Sequence, residues 1–237
     1  MTTLQEQAYQ HIRKGLLGGE WQEGDFLFPS KVAKEIGISY TPVREAMIQL
    51  VGEGVLQQLP KAGVCVRTLG PDELRELFEL RGILEGGAVC LAAKRISDET
   101  LSQLSALIDE HEEIIEKLRA SGWDHTQQDL MLKLGTVDLT FHLNVIAAAQ
   151  NQKMMKMISD LHVQTRIFHR RLEVEGDEFR RQTENIITHH RNILNALNEH
   201  DSEKAYECML AHLTWAQDFH MAVTNSKSAT SGLIQPF

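Results

Sequence analysis

Ser30-Lys31-Val32-Ala33-Lys34-Glu35-Ile36-Gly37-Ile38-Ser39-Tyr40-Thr41-Pro42-Val43-Arg44-Glu45-Ala46 reads as a short helix, a glycine turn and a second helix opened by a cap. Thr41 suits the N-cap, because its hydroxyl can accept an orphan backbone N–H. Pro42 then falls at the first helical position, where its missing N–H costs nothing. Ala33 is small where the two helices would cross, Gly37 permits a left-handed turn, and Val43 is the apolar residue that buries the second helix. These are the requirements of a helix-turn-helix. The exposed start of its second helix, carrying Ser39, Tyr40, Thr41 and Arg44, is the end that enters a DNA major groove.

Working outward, Gly54-Val55-Leu56-Gln57-Gln58-Leu59 is followed by Pro60-Lys61-Ala62-Gly63 and then Val64-Cys65-Val66-Arg67. Two short apolar runs around a turn containing Pro and Gly predict a β-hairpin, a wing beside the helices. Together, Thr41-Pro42-Val43-Arg44-Glu45-Ala46, Gly54-Val55-Leu56 and the Lys61-Ala62-Gly63-Val64 wing resemble the winged helix of GntR-family transcription regulators. The resemblance covers about residues 5–69 and implies three helices plus the hairpin wing.

Arg44 in isolation would be a solvated helix arginine, but its place in the first turn of a recognition helix makes it a base or phosphate contact. Arginine pairs bidentately with guanine O6 and N7, which is worth about 1–3 kcal/mol of discrimination. Lys61 and Gly63 at the wing tip suit a phosphate, which positions a domain without specifying sequence. Ser39 and Thr41 can donate to phosphates as well. Where the family often has arginine, this chain has Ser30 and Tyr40. The Tyr40 hydroxyl can substitute for one such contact, and Lys31 or Lys34 can supply charge.

The net charge is −9, opposite to that of a nonspecific nucleic-acid binder. Within 1–69, however, seven Lys/Arg face seven Asp/Glu, so the acidic excess lies wholly in the remainder. A neutral winged helix predicts modest affinity per monomer, which dimerisation would multiply through effective concentration. The 237 residues suit two domains, 1–69 and 70–224, with a Ser/Thr/Lys-rich tail over 225–237 expected to be disordered. There is no run of eighteen apolar residues and no basic-then-apolar N-terminus, so neither a membrane span nor a secretory signal is expected. Cys65, Cys90 and Cys208 are widely spaced, as in proteins of a reducing cytoplasm.

From Gly70 onward the pattern becomes helical. Pro71 opens a run with Leu74, Leu77, Phe78, Leu84 and Leu91. Ser97 can cap the next, in which Leu101, Leu104, Leu107, Ile108, Ile114, Ile115 and Leu118 recur at helical spacing until Gly122. Further segments fall near 125–149, 151–173, 177–199 and 202–224, with Gly176 and Asp201 marking ends. The fold class is mainly α: a winged helix-turn-helix followed by an all-α antiparallel bundle of about six helices.

Four residues stand out from the chain's eleven histidines and many carboxylates. Asp138 and His142 are four apart, on one face of one helix. His190 and His212 each lie about eleven residues from the turn near 201, hence about 16 Å along two antiparallel helices, at one level. One carboxylate and three imidazoles form a donor set for Zn²⁺ or a similar divalent ion, Ni²⁺, Mn²⁺ and Fe²⁺ included. The remaining histidines, His111 among them, read as exposed or core-packed. Val137-Asp138-Leu139-Thr140-Phe141-His142, Ala149-Gln150-Asn151, His190-Arg191-Asn192-Ile193-Leu194 and Ala211-His212-Leu213 are similar to the all-helical FCD domain of the FadR subfamily. That resemblance implies that these four positions coordinate a divalent cation, and it argues against an acyl-CoA effector.

Arg81 and Glu85 lie i,i+4 amid apolar residues. As an intrahelical ion pair they would add under about 0.5 kcal/mol. The resemblance instead implies that Arg81 binds the carboxylate of a small organic or sugar acid, its planar fork suiting that group, with Glu85 behind it at best. The expectation is a homodimeric regulator on a palindromic operator, a repressor by the family's common mode. Leu69-Gly70-Pro71 would be its hinge. The competing readings are a metal-dependent hydrolase and a regulator whose metal is purely structural. No general base near the four ligands supports the hydrolase.

Overall fold

The computed structural model describes residues 2–122, 128–169 and 176–231, with side chains over 2–122, 129–167 and 180–221. It divides into two units, one formed by residues 1–70 with 160–171, the other by 71–159 with 172–237.

In the first unit, α1 (Leu4–Gly18) is capped by Thr3, whose hydroxyl accepts the Glu6 N–H, and closed by Gly19. The helix-turn-helix is α2 (Pro29–Ile36) and α3 (Tyr40–Gly52), with Gly37 in the left-handed conformation at φ 71° that the turn requires. The α3 N-cap is Ser39, not Thr41. Pro42 is therefore inside the first turn, which it tolerates because the first four N–H groups of a helix have no intrahelical partner. The wing is β2 (Leu56–Leu59) paired antiparallel with β3 (Gly63–Val66). A short strand that the sequence did not predict, β1 (Phe26–Leu27), pairs with the far edge of β3, giving the order β1-β3-β2. Ile12, Leu16, Val43, Met47, Leu50, Leu56 and Val66 form the core, joined by Val163 and Ile167. Gln164 donates its side-chain amide to the Glu53 carbonyl at the end of α3.

The second unit contains the helices α4 (Pro71–Arg95), α5 (Asp98–Ala120), α6 (Gln128–Ala148), α8 (Gly176–Asn198) and α9 (Ser202–Ser231). The start of α7 (Gln152–His169) belongs here too. The expected starts and ends survive where they are described. Ser97 accepts the Thr100 N–H, Gly122 follows α5 at φ 71°, and Asp201 Oδ1 accepts from Glu203 and Lys204. Position 125 and the segment end at 173 lie outside the described residues. So does 232–237 of the expected tail, while 225–231 continues α9. Among described residues one segment, Asp129–Ala148 in α6, has the length and mean hydropathy (1.2) of a membrane span. It carries Asp138 and His142, and its Phe141, Val145 and Ile146 are buried in the bundle core with Leu104, Ile108, Ile193 and Leu197. Helices α4 and α9 approach closely because Gly86 has no side chain: a Cβ there would lie 2.6 Å from the Tyr206 ring.

Candidate DNA-reading face and metal centre

The side chains expected to meet DNA are at the surface of the first unit. Lys31, Lys34, Ser39, Tyr40, Thr41, Arg44 and Lys61 are all exposed, while the apolar partners of the same helices, Val32, Val43 and Met47, are buried. Ser39 caps α3 through its backbone alone, so its hydroxyl makes no capping bond. At the wing tip the Ala62 N–H reaches the Leu59 carbonyl, with Pro60 and Lys61 as the central turn residues. Lys61 stands at φ 64° and Gly63 at 116°. Positive φ at the second central position belongs to a type II turn and favours glycine, so a lysine there pays a conformational cost.

In the second unit, α6 carries Asp138 and His142, α8 carries His190, and α9 carries His212. One nitrogen of each of the three histidines lies within 4.8 Å of the others, and all three rings are buried. His142 Nε2 and His212 Nε2 are 3.0 Å apart. Asp138 stands at the rim, its side chain 36 % exposed and its Oδ1 3.5 Å from His190 Nε2. It is close to one member of the trio and does not join the three within that mutual distance. Phe141 stacks flat on His190, with centroids 4.0 Å apart at 13°, which fixes the ring.

Burial holds His190 and His212 well below the ordinary imidazole value, and their neighbours' potential charges push further the same way: His212 first for His190, His142 first for His212. The positive charge of Arg81 pushes His212 the same way. His190 Nε2 and His212 Nδ1 are buried with no hydrogen-bond partner. Neutral imidazoles with converging lone pairs are the form that binds metal, and nitrogen donors beside a carboxylate suit a borderline divalent ion. The residues therefore fit such an ion.

Helix α4 contributes the surrounding charges. Arg81 Nε donates to Glu85 Oε1 at 2.6 Å, and both side chains are buried, unlike the solvated helical pair the spacing allowed. Glu85 Oε2 lies 3.3 Å from His142 Nδ1. A carboxylate on Nδ1 holds the proton there and leaves Nε2 as the donor, an arrangement that orients metal-binding histidines. A fourth histidine, His111 on α5, has its ring 5.9 Å from that of His190. The sequence had one signal for it: it occupies an interior position of the apolar Leu104-Ile108-Ile115-Leu118 stripe.

Comparison with known proteins gives two family matches: "Bacterial regulatory proteins, gntR family" over residues 4–66 and "FCD domain" over 76–214. The chain is 27 % identical over 207 residues to the HTH-type transcriptional regulator YdhC of Bacillus subtilis, covering 87 % of this chain and 86 % of that one. It is 26 % identical over 215 residues to a probable D-xylose utilization operon transcriptional repressor of Paenarthrobacter nicotinovorans, covering 90 % and 86 %. The solved structure of Escherichia coli McbR/YncC shares its fold, with a TM-score of 0.75 at 23 % identity over 93 % of this chain and 98 % of that one.

Proposed function

This chain belongs to the gntR family of bacterial regulatory proteins and carries an FCD domain, and from that premise we propose that a metal-held acid controls its grip on DNA. It is a DNA-binding transcription regulator. As proposed, it is a cytoplasmic homodimeric repressor of a palindromic operator. Its affinity is set by a small organic or sugar acid bound at a divalent ion, Zn²⁺ before Ni²⁺, Mn²⁺ or Fe²⁺, held by Asp138, His142, His190 and His212. The observation that carries the reading is the buried trio of imidazole nitrogens within 4.8 Å of one another.

The chain's own residues have separable tasks. Ser39, Tyr40, Thr41 and Arg44 present the start of α3 to a major groove, Arg44 as the base reader, while Lys31, Lys61 and Gly63 meet phosphates. In the bundle, Glu85 orients His142 and Phe141 orients His190. Asp138, His142, His190 and His212 would hold a divalent ion, which would act as a Lewis acid toward a carboxylate. Arg81, paired through Nε with Glu85, is the guanidinium that would meet that carboxylate. An acid with different affinities for the DNA-competent and incompetent arrangements shifts their populations by that difference and no more. A second copy of the chain is supported by an exposed apolar strip across α4 and α9, comprising Leu80, Ile83 (70 % exposed), Tyr206 and Leu210.

His142→Ala tests the switch. It should abolish metal binding and acid response, while operator affinity in the absence of acid stays within about threefold, since the α3 face is untouched. An acid response that survives in His142→Ala would show that the metal site is not the sensor. Metal loss that lowers only thermal stability, in a protein that never responds to acids, would leave the ion structural.

A further inference from the structure

The helix α3 buries one stripe, Val43, Ala46, Met47 and Leu50, in the core of its own unit. On the opposite side, Thr41 and Ile48 are seven residues apart, about 20° short of two full turns, so they stand on one line along the outward face. Arg44 lies between them, three residues from one and four from the other, and all three are exposed. Ile48 is 52 % exposed, an aliphatic side chain left half in water. Gln49 beside it is engaged within the unit: its amide donates to Glu53 Oε1 at 3.0 Å, and its oxygen accepts from Gln5 at 3.4 Å. A single exposed isoleucine is ordinary on a protein surface. One that shares a line with Thr41 and Arg44 faces whatever they face.

We propose that Ile48 is a specificity-determining residue that reads a thymine methyl group in the operator. This rests on the reading above in which α3 lies in the major groove, and it adds a second kind of base contact. Isoleucine has no donor and no acceptor. The groove edges of the bases carry donors, acceptors and one apolar group, the C5-methyl of thymine, which apolar side chains contact. Against a G·C pair the same side chain would strip water from polar edges and return no hydrogen bond. Four residues of helix separate Ile48 from Arg44, about 6 Å of rise, whereas base pairs repeat about every 3.4 Å. With the helix following the groove, the thymine is one or two base pairs from the guanine that Arg44 reads. Taking one methyl out of water is worth about fourfold in affinity, hence about 15-fold for two copies on a palindrome. An apolar contact releases no counterions, so it leaves the salt dependence unchanged. The fold gains little from Ile48, because alanine is the better helix former at an exposed position.

The test uses full-length protein and a duplex that it selects from a random pool. Thymines of that duplex are replaced, one symmetric pair at a time, by deoxyuridine, which keeps every hydrogen-bonding group and lacks only the methyl. The wild type should lose about 15-fold in affinity at one such pair, within two base pairs of the guanine whose replacement no longer matters to Arg44→Ala. Ile48→Ala should bind the thymine and deoxyuridine forms at that pair to within about twofold. Its melting temperature should hold or rise, and its salt slope should match the wild type. The inference is overturned if the wild type is indifferent to every deoxyuridine replacement, if the selected duplex has no thymine there, or if Ile48→Ala remains as sensitive as the wild type. Arg44→Ala separates the two levels. If it weakens binding while Ile48→Ala behaves as the wild type, this inference alone falls. If neither substitution changes affinity for the selected duplex, the reading of α3 as the groove helix falls, and this one with it.

Discussion

Glu85 is buried between two basic side chains, its Oε1 on Arg81 and its Oε2 facing His142. A carboxylate can serve both because each oxygen accepts independently. Glu85→Gln keeps the shape but turns one oxygen into a donor, so either Arg81 or His142 loses its acceptor. Metal affinity should fall about 10–100-fold, read by competition with a chromogenic chelator. Unchanged affinity would mean that Glu85 only pairs with Arg81. The buried histidines also set a pH dependence. His190 and His212 are held below 6.5 in the folded state, by burial first, so the unfolded chain takes up protons that the folded chain refuses. Stability linked to these groups is therefore complete above 6.5 and is lost as pH falls below it. The chelator-stripped protein should lose melting temperature between about pH 6.5 and 5 and be flat from 7 to 8 on account of these groups, as followed by calorimetry. A flat profile through pH 5 would contradict the burial argument.

Among the elements, the proposed function gives the wing affinity and the recognition helix specificity. Lys61→Gly relieves a left-handed residue, so stability should hold or rise, while removal of one phosphate contact should flatten the slope of log K against log salt by about 0.9. Arg44→Ala should instead cost about 1–3 kcal/mol on the cognate duplex and little on a scrambled one. Equal losses on both duplexes would make Arg44 a phosphate contact. The helix-turn-helix was legible because its signals are local: Gly37 for the turn and Val43 for the buried face. Its cap was misplaced from Ser39 to Thr41 because both residues can cap, and Pro42 tolerates any position in the first turn. The strand β1 was illegible because two residues, Phe26 and Leu27, carry no period, and their partner is β3, far along the chain. The level meeting of His190 and His212 was legible from their equal distances to the turn at 201, whereas bringing His142 to them leaned on the family resemblance. The place of His111 was not legible, since an interior histidine looks alike in sequence whether its nitrogens are satisfied or bare. Nor did the sequence show that Val163 and Ile167, deep in the helical half, pack into the core of the first unit.

For the whole molecule, charge is partitioned: a neutral DNA-reading segment over 1–69 and the whole of the −9 elsewhere. Such a protein gains little from bulk electrostatic attraction to DNA; in the proposed function its affinity comes instead from the recognition helices of two copies and from the fraction of molecules competent to place them. The measurement that tests this directly is the dissociation constant for a duplex selected by the protein from a random pool. It would be taken at fixed salt, for zinc-loaded and chelator-stripped protein, with and without the tightest-binding member of a panel of small organic and sugar acids. Coupling of about 1–3 kcal/mol, a 5–150-fold change in affinity, should appear when acid is added to the zinc-loaded protein and be absent from the stripped protein. The same dissociation constant in all four conditions would contradict the claim that the metal centre governs DNA binding.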